Sequence, residues 1–422
     1  NLQDSTKGSV AYITSDYNTG YMVGDTKGVW CSSNDTTNLG TNFLSTAQSQ
    51  FTSASGWTAG ENWSINTSSG KAEITSGSGA SFLQRAESPA VIVEGAQYSI
   101  SLDVTTSSGS LNVRVGNGDY TDVSSAGTGK FYVVKAGSTT TETVLFYANS
   151  WIGTIDNVVV TKADQDHTIN AKGLEVHGTV TKTAVATGAE LMAYSGLSGS
   201  NHLKQSYNSD LDFGTGDYNF SFWMKRAGTG TGYAFDRAAG TSSRLACYMT
   251  SGGIYHYTQQ SSSNVEISSP NVAVGVWVNV NITRRGGIAY IYVNGEEESS
   301  SANTLNLSHS SGELFVGVRH SISGSTLDGS LALFRASATA PSAEQIKEIY
   351  EEEKPLFQEN AKCTLNGSSD EVAALAYDDS TELLHVGTSG GRSTFQGLRR
   401  VEENTNAITE LAAQGGMVVE EY

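Results

Sequence analysis

Cysteine is almost missing from this 422-residue chain, basic charge is in deficit, and no apolar run approaches membrane-spanning length. Only 3 cysteines occur. Cys31, Cys247 and Cys363 lie far apart with no ligand-like spacing, which excludes a zinc knuckle and a disulfide framework and leaves three incidental, buried thiols as the expectation. Lysine and arginine total 25 against 43 aspartates and glutamates, a net charge of -18. Nucleic-acid binding is disfavoured, because phosphate recognition needs clustered cations and no basic stripe is present. Acidic runs such as Glu296 to Glu298 and Glu351 to Glu353 read as solvated faces. With no stretch of about 20 apolar residues, helical insertion into a bilayer is not expected. No signal peptide is visible, and the start at Asn1 without Met suggests a processed chain or the later part of a longer one.

What is present is a strand-and-turn composition. Proline stands at 4 residues and glycine at 46, with Ser and Thr throughout. Tight reversals through Gly, Asn and Ser between β-branched runs give that balance. At roughly 150 residues per domain the length allows about three domains. The expected fold class is all-β: two tandem β-sandwiches (jelly rolls) flanked by β-propeller-blade-like segments, with one or two short helices.

Residues 9 to 33 read as three short strands, SVAYITSD, GYMVGD and GVWCSS, and residues 371 to 401 repeat the style in EVAALAYDDSTELLHVGTSGGRSTFQGLRRV. Both have the rhythm of propeller blades, and the second resembles the two-component-regulator type of blade. Residues 1–38 are expected to end an upstream domain, and residues 360–422 to form a blade-like C-terminal segment. The two could belong to one propeller. A short helix is expected near Thr405 to Ala413, stopped by Gly415 and Gly416.

Residues 41–162 carry GWTAGENWSINTSSGKAEIT, SFLQRAESPAVIVEGAQYSISLDVTT, SLNVRVGNG and WIGTIDNVVV. These resemble carbohydrate-binding modules of the jelly-roll type. Alternation supports a half-buried sheet independently, with Tyr98, Ile100, Leu102 and Val104 on one face. After a polar linker, residues 173–353 carry DFGTGDYNFSFWMKR, VGVWVNVNITRRGGIAYIYVNGEEE, GELFVGVRH and TLDGSLALFRASATAPSAEQIKEIYEEE. In order and spacing these resemble the laminin-G and concanavalin-like lectin family. Asn294-Gly295 is the pair that adopts positive φ in a hairpin. A helix is expected from Ser342, with Gln345 completing a capping box and Ile346, Ile349 and Tyr350 on one face, plugging an edge or end of the sandwich.

Sandwiches of this kind also host glycoside hydrolases, but the Glu-x-Asp-x-x-Glu strand of laminarinase-like enzymes does not occur. Gly387 to Gly391 match Gly-x-Ser-x-Gly, yet a strand follows instead of a helix, so Ser389 reads as a turn residue. The 7 histidines show no metal-site spacing. No catalytic residue is assigned, and the chain is expected not to be an enzyme.

Sugar recognition needs aromatic faces flanked by polar groups. In the larger unit the candidates are Tyr248, Tyr255, Tyr257, Tyr290 and Tyr292, taken together as one platform on a concave sheet, with Trp223 and Trp277 left to the core. In the smaller unit they are Trp57, Trp63 and Trp151. In both, core packing stands as the alternative. For a metal, hard oxygen ligands favour calcium. The jelly-roll resemblance implies Asp156; in the larger unit Asp210, Asp212 and Asp217 bracket a Gly turn, and Asp328 holds the family's Asp-Gly position. Ordinary turn carboxylates are the alternative.

The combination of two sugar-binding-type sandwiches with blade-like flanks resembles modular tail, fibre and nozzle proteins of bacteriophages. That resemblance implies a virion location, multiple copies as a homo-oligomer, contact with other virion proteins and adhesion to host-surface polysaccharide. A secreted or surface-bound bacterial adhesin, the accessory part of a polysaccharide-degrading enzyme, and a purely architectural decoration are the alternatives.

Overall fold

A computed structural model describes residues 9–12, 20–77, 79–85, 92–138, 144–240, 242–322, 324–367 and 371–421. Residues 13–16 of the expected first strand, and 86–91 of the quoted jelly-roll motif, lie outside them. The chain is mostly β and divides into two compact units. One comprises residues 38–166 and 171–179; the other comprises residues 1–37, 167–170 and 180–422.

The smaller unit is organised by two strands of 19 residues, Gln97–Val115 and Val144–Lys162, paired antiparallel. Each is long enough to serve two layers. Val144–Lys162 also pairs with Ala80–Arg85 through its first half and with Lys71–Ile74 further on, and its ladder with Gln97–Val115 shifts register around Asn149–Gly153 and Asp156–Val159. Extra residues at such bulges bend a strand and tighten its twist, which lets one strand turn a barrel-like corner. The alternating residues Tyr98, Ile100, Leu102 and Val104 all point into the core.

In the larger unit two sheets face each other. The front sheet runs, in spatial order, His202–Gln205, Glu313–Val316, Gly232–Ala239, Ser243–Thr250, Gly253–Gln260 and Ser263–Ser268. The back sheet runs Thr181–Ala184, Met192–Ser195, Gly329–Ser337, Tyr218–Arg226, Trp277–Arg285, Ile288–Val293 and Glu296–Ala302. Phe220 of the back sheet stacks on Phe235 of the front sheet at 4.4 Å, and Phe222 and Phe334 close around them. Asn294 and Gly295, at φ 52° and 81°, make the tight hairpin that their sequence requires.

The helix forms as Ala343–Glu353, with Ser342 and Gln345 in a reciprocal capping box. It does not plug an edge of the sandwich. Instead it covers the outer face of the back sheet, where Tyr350 and the following Phe357 stack on Trp223 at 5.7 and 4.2 Å. Its last residue, Glu353, is wholly buried and not part of a solvated face. The Trp223 indole N–H donates to Glu353 Oε2 at 2.8 Å, and both guanidinium nitrogens of Arg335 reach the same carboxylate. Trp223 and Trp277 thus pack outside the sandwich core, in a second apolar cluster with Leu356, Cys363 and Leu398.

The N-terminal segment departs from the blade reading. Thr26–Trp30 pairs antiparallel with Gly329–Ser337, adding to the back sheet, and Trp30 stacks on Phe334 at 5.9 Å. Short strands with Gly turns are common to blades and sandwiches, and a pairing partner 300 residues away leaves no mark in local sequence. At the other end, Val372–Asp378, Leu383–Thr388, Gly391–Gln396 and Arg399–Asn404 do form a four-stranded antiparallel meander. It is tied to the sandwich by Glu190, whose carboxylate accepts from the Cys363 and Thr364 amides and from Arg400. The helix expected near Thr405 to Ala413 is instead a hairpin, Glu410–Gln414 with Met417–Glu421. Gly415 and Gly416, at φ 62° and 80°, are its turn. Asp378 accepts from both of their amides, and these hydrogen bonds, with those from Ser380, hold its carboxyl well below the usual carboxylate range. All three cysteines are buried, and none is in a disulfide.

Candidate functional site

Cross-strand register on the outer face of the front sheet assembles a row of tyrosines. Tyr233 stands opposite Tyr248, and Tyr248 opposite Tyr255. Their rings stack at 5.3 Å and then 4.8 Å, the second pair tilted by only 7°. Parallel rings this close cannot lie side by side in one plane, so they stand on edge along the sheet and turn their rims outward. Tyr248 therefore has a ring against each face. Tyr255 has Tyr248 on one side and, in register on the other, the small side chain of Ser268.

Polar groups surround the row. Tyr248 donates its hydroxyl to Glu266 at 2.7 Å, and Tyr257 donates to Gln259 at 3.1 Å. The Arg244 guanidinium lies 5.3 Å from the Tyr233 ring centre and 5.4 Å from that of Tyr257, within cation-π range of both. Beneath it Asp236, 0% exposed, receives Arg244 Nε at 2.8 Å and Nη2 at 2.7 Å, and also the backbone amide and ring Nδ1 of His320 at 3.0 and 2.8 Å. Burial alone would raise the Asp236 carboxyl; hydrogen bonds from His320 and Arg244 and the Arg244 charge outweigh it and hold the group low. The same Asp236 pair works the other way on Arg244, kept charged despite its burial.

Tyr248, Tyr255 and Tyr257 thus share one half-buried face, with His256 turned into the core, where its Nε2 meets the Tyr218 hydroxyl at 2.9 Å. Tyr290 and Tyr292 do not join them. They belong to the back sheet, stack on each other at 5.9 Å and hold Arg285, which bonds the Tyr292 hydroxyl; Tyr292 is fully buried. Tyr233 was missed, because its place in the row depends on a register shift at Ala234 that sequence does not reveal.

The three tryptophans of the smaller unit are core residues. Trp57 packs on Phe51 and Phe146 and donates its N–H to the Gln48 carbonyl; Trp63 stacks on Trp151, whose N–H reaches Thr106 Oγ1 at 3.0 Å. None is more than 8% exposed, so none offers a ring face to a sugar.

Protein donors already meet several of the aspartates named for calcium. Both oxygens of Asp212 are engaged, by Arg237 and the His309 amide on one side and the Tyr207 hydroxyl at 2.8 Å on the other. Asp217 caps the Gly286 amide at 2.9 Å, Asp210 sits in the 3-10 turn Ser209–Leu211, and Asp328 lies exposed beside Arg226. Asp156 stands opposite Asp103, and Asn157 bridges them, its side-chain N–H donating to Asp103 Oδ2 at 2.8 Å and its backbone N–H to Asp156. Among the described residues no three His, Cys, Asp or Glu side chains converge on a metal position. Ser389 is a turn residue between Leu383–Thr388 and Gly391–Gln396.

Comparison with known proteins finds similarity over part of the chain. A search of curated proteins finds no match. Among solved structures, domain 4 of an extracellular arabinanase from Geobacillus stearothermophilus, in complex with arabinotriose, is 17% identical with a TM-score of 0.37, covering 44% of this chain and 92% of that one. The heptameric SAP-like pentraxin from Limulus polyphemus is 22% identical, TM-score 0.27, covering 32% and 69%. The receptor-binding domain of a botulinum neurotoxin C/D mosaic serotype is 14% identical, TM-score 0.38, covering 55% and 59%. Residues 197–347, which hold most of both sheets and the start of the helix, match the sequence family described as the concanavalin A-like lectin/glucanases superfamily.

Proposed function

We propose that the front sheet of the larger unit binds a neutral glycan along the tyrosine row, and that the chain acts as an adhesion module and not as an enzyme. The observation that carries this reading is the aligned set Tyr233, Tyr248, Tyr255 with Tyr257, bordered by Arg244, Gln259 and Glu266. Sugars are held where hydroxyl rims and amides satisfy their hydroxyls and one ring face takes the apolar side of the pyranose. The hydroxyls of Tyr248 and Tyr257 supply the first, and the Tyr255 face above Ser268 supplies the second. Arg244 is paired with Asp236 and Lys204 with Glu313 at 2.7 Å, and Glu266 accepts from the Tyr248 hydroxyl, which disfavours an acidic ligand. Glycosidases need a carboxylic acid with a raised pKa opposite a second carboxylate. Asp236 is held in the opposite direction, by partners that a catalytic acid could not keep.

The tandem sandwiches and the blade-like C-terminal sheet fit a multi-copy particle such as a phage tail, fibre or nozzle, where weak sites gain avidity by repetition. In that setting the chain would assemble with itself and other virion proteins on an extracellular surface. The test is retention of the full chain on immobilised neutral and acidic polysaccharides. Tyr255→Ala and Tyr248→Ala are expected to abolish retention on the neutral set with the unfolding transition of the larger unit kept. Unchanged retention, or preference for the acidic set, would count against the site.

A further inference from the structure

The smaller unit carries a group of exposed rings to which its buried tryptophans do not belong. Leu83, Leu111, Val113, Val144, Phe146 and Ala148 point into its core, so the residues between them face the other way. That outward face is ordered by register across the adjoining strands Ala80–Arg85, Val144–Lys162 and Gln97–Val115. Tyr147 stands between Phe82 and Asn112, and Leu145 between Gln84 and Arg114. Tyr120 closes the far side, its ring 5.4 Å from that of Tyr147 and 5.1 Å from the Arg114 guanidinium.

Phe82 is 40% exposed and Tyr120 48%. Among the described residues Phe82 stacks on no other ring, so its faces are open. Leu145 faces the same way and is 5% exposed, which makes the floor beside the rings apolar. Gln84 and Asn112 are half-buried, and among the described residues their side-chain amides make no hydrogen bond. Each amide offers an acceptor and two donors that are partly removed from water, and a ligand that meets them recovers that cost. A sugar hydroxyl has nothing apolar to give the floor and the rings. An acetamido group suits both surfaces at once, with a methyl for a ring and an N–H and C=O for a side-chain amide.

We propose that this face of the smaller unit is a second binding site, for glycans that carry N-acetylated amino sugars. The acetamido methyl packs on Tyr147, the Asn112 side chain bonds the acetamido N–H and C=O, and the open Phe82 ring takes the apolar face of the sugar. Gln84 and the Tyr120 hydroxyl lie where a neighbouring sugar would present its own polar groups. The site shares no residue with the tyrosine row of the front sheet and does not rest on that reading.

The test titrates the full chain by calorimetry with fully N-acetylated chitopentaose and with cellopentaose, which share backbone and linkage and differ in one ring substituent, acetamido against hydroxyl. A lone site of this kind is weak, so titration with a soluble oligosaccharide reads it where column retention does not. Chitopentaose is expected to bind, and cellopentaose about tenfold more weakly or worse. Phe82→Ala and Asn112→Leu should each weaken chitopentaose about tenfold, with Tyr255→Ala unchanged from the parent. If Asn112→Leu lowers the unfolding midpoint of the smaller unit, Gln84→Leu takes its place with the same expected direction. No binding by the parent, equal binding of the two oligosaccharides, or unchanged binding by Phe82→Ala would overturn the proposal. So would a loss confined to Tyr255→Ala, which would move the acetamido sugar to the front sheet. Failure of the smaller-unit site leaves the front-sheet reading standing, because that reading is tested by its own variants.

Discussion

Removing Asp236 should unfold the larger unit more easily and should do so through Arg244. Asp236 is completely buried, and Arg244 is 8% exposed, so the carboxylate is the partner that lets a guanidinium sit beneath the tyrosines. Deleting one member of a buried, hydrogen-bonded pair leaves the other charge uncompensated, at a cost of about 3–5 kcal/mol. With a urea m value near 3 kcal/mol/M, the midpoint for Asp236→Ala should fall by about 1 to 1.7 M. Trp30, Trp223 and Trp277 report on this unit by fluorescence, and Trp57, Trp63 and Trp151 on the smaller one, whose transition should not move. Because the two residues act as a pair, Asp236→Leu/Arg244→Leu should lose far less than the sum of the single variants. A midpoint shift below about 0.3 M for Asp236→Ala, or strict additivity in the cycle, would refute the account of a charge held by its partner.

Trp151→Ala should destabilise the smaller unit by about 3–5 kcal/mol, as for a buried aromatic, and leave glycan retention unchanged. Loss of retention by a folded variant would return the tryptophans to the site. Burial pulls His256 down to about 3 and His167 to about 4, so the unfolded chain binds their protons first. Stability of the larger unit should therefore be full above pH 6.5 and fall as pH drops from there toward 4, by up to about 1.4 kcal/mol per unit for each histidine. His256→Gln should flatten the slope seen in urea titrations across that range; an unchanged slope would remove His256 from the explanation. For Asp156→Ala, melting of parent and variant should respond identically to calcium and to chelator, and a calcium-dependent rise confined to the parent would show that the Asp103 and Asp156 pair does take a cation.

Local chemistry made much of the fold legible. Alternation at Tyr98, Ile100, Leu102 and Val104 fixes a core-facing strand because period two is a property of the pleat. Asn294-Gly295 and the Ser342 to Gln345 box work the same way, each satisfying backbone geometry or orphan amides within a few residues. Where two local readings compete, sequence leaves the choice open: Thr405 to Gly416 has helix-like composition, and only pairing with Met417–Glu421 and the grip of Asp378 on Gly415 and Gly416 makes it a hairpin.

Sequence by itself determined which faces are aromatic, and thereby put Tyr255 and Tyr257 together with His256 opposed. Tertiary structure decided which faces meet. It brought Tyr233 beside Tyr248 through a register shift, sent Tyr290 and Tyr292 to the other sheet, and buried Trp57, Trp63 and Trp151. It also recruited Thr26–Trp30 to a strand more than 300 residues away. The physical reason is that side-chain direction is set by neighbouring φ and ψ, whereas strand order and ring contacts are set by long-range pairing, to which nearest neighbours are blind.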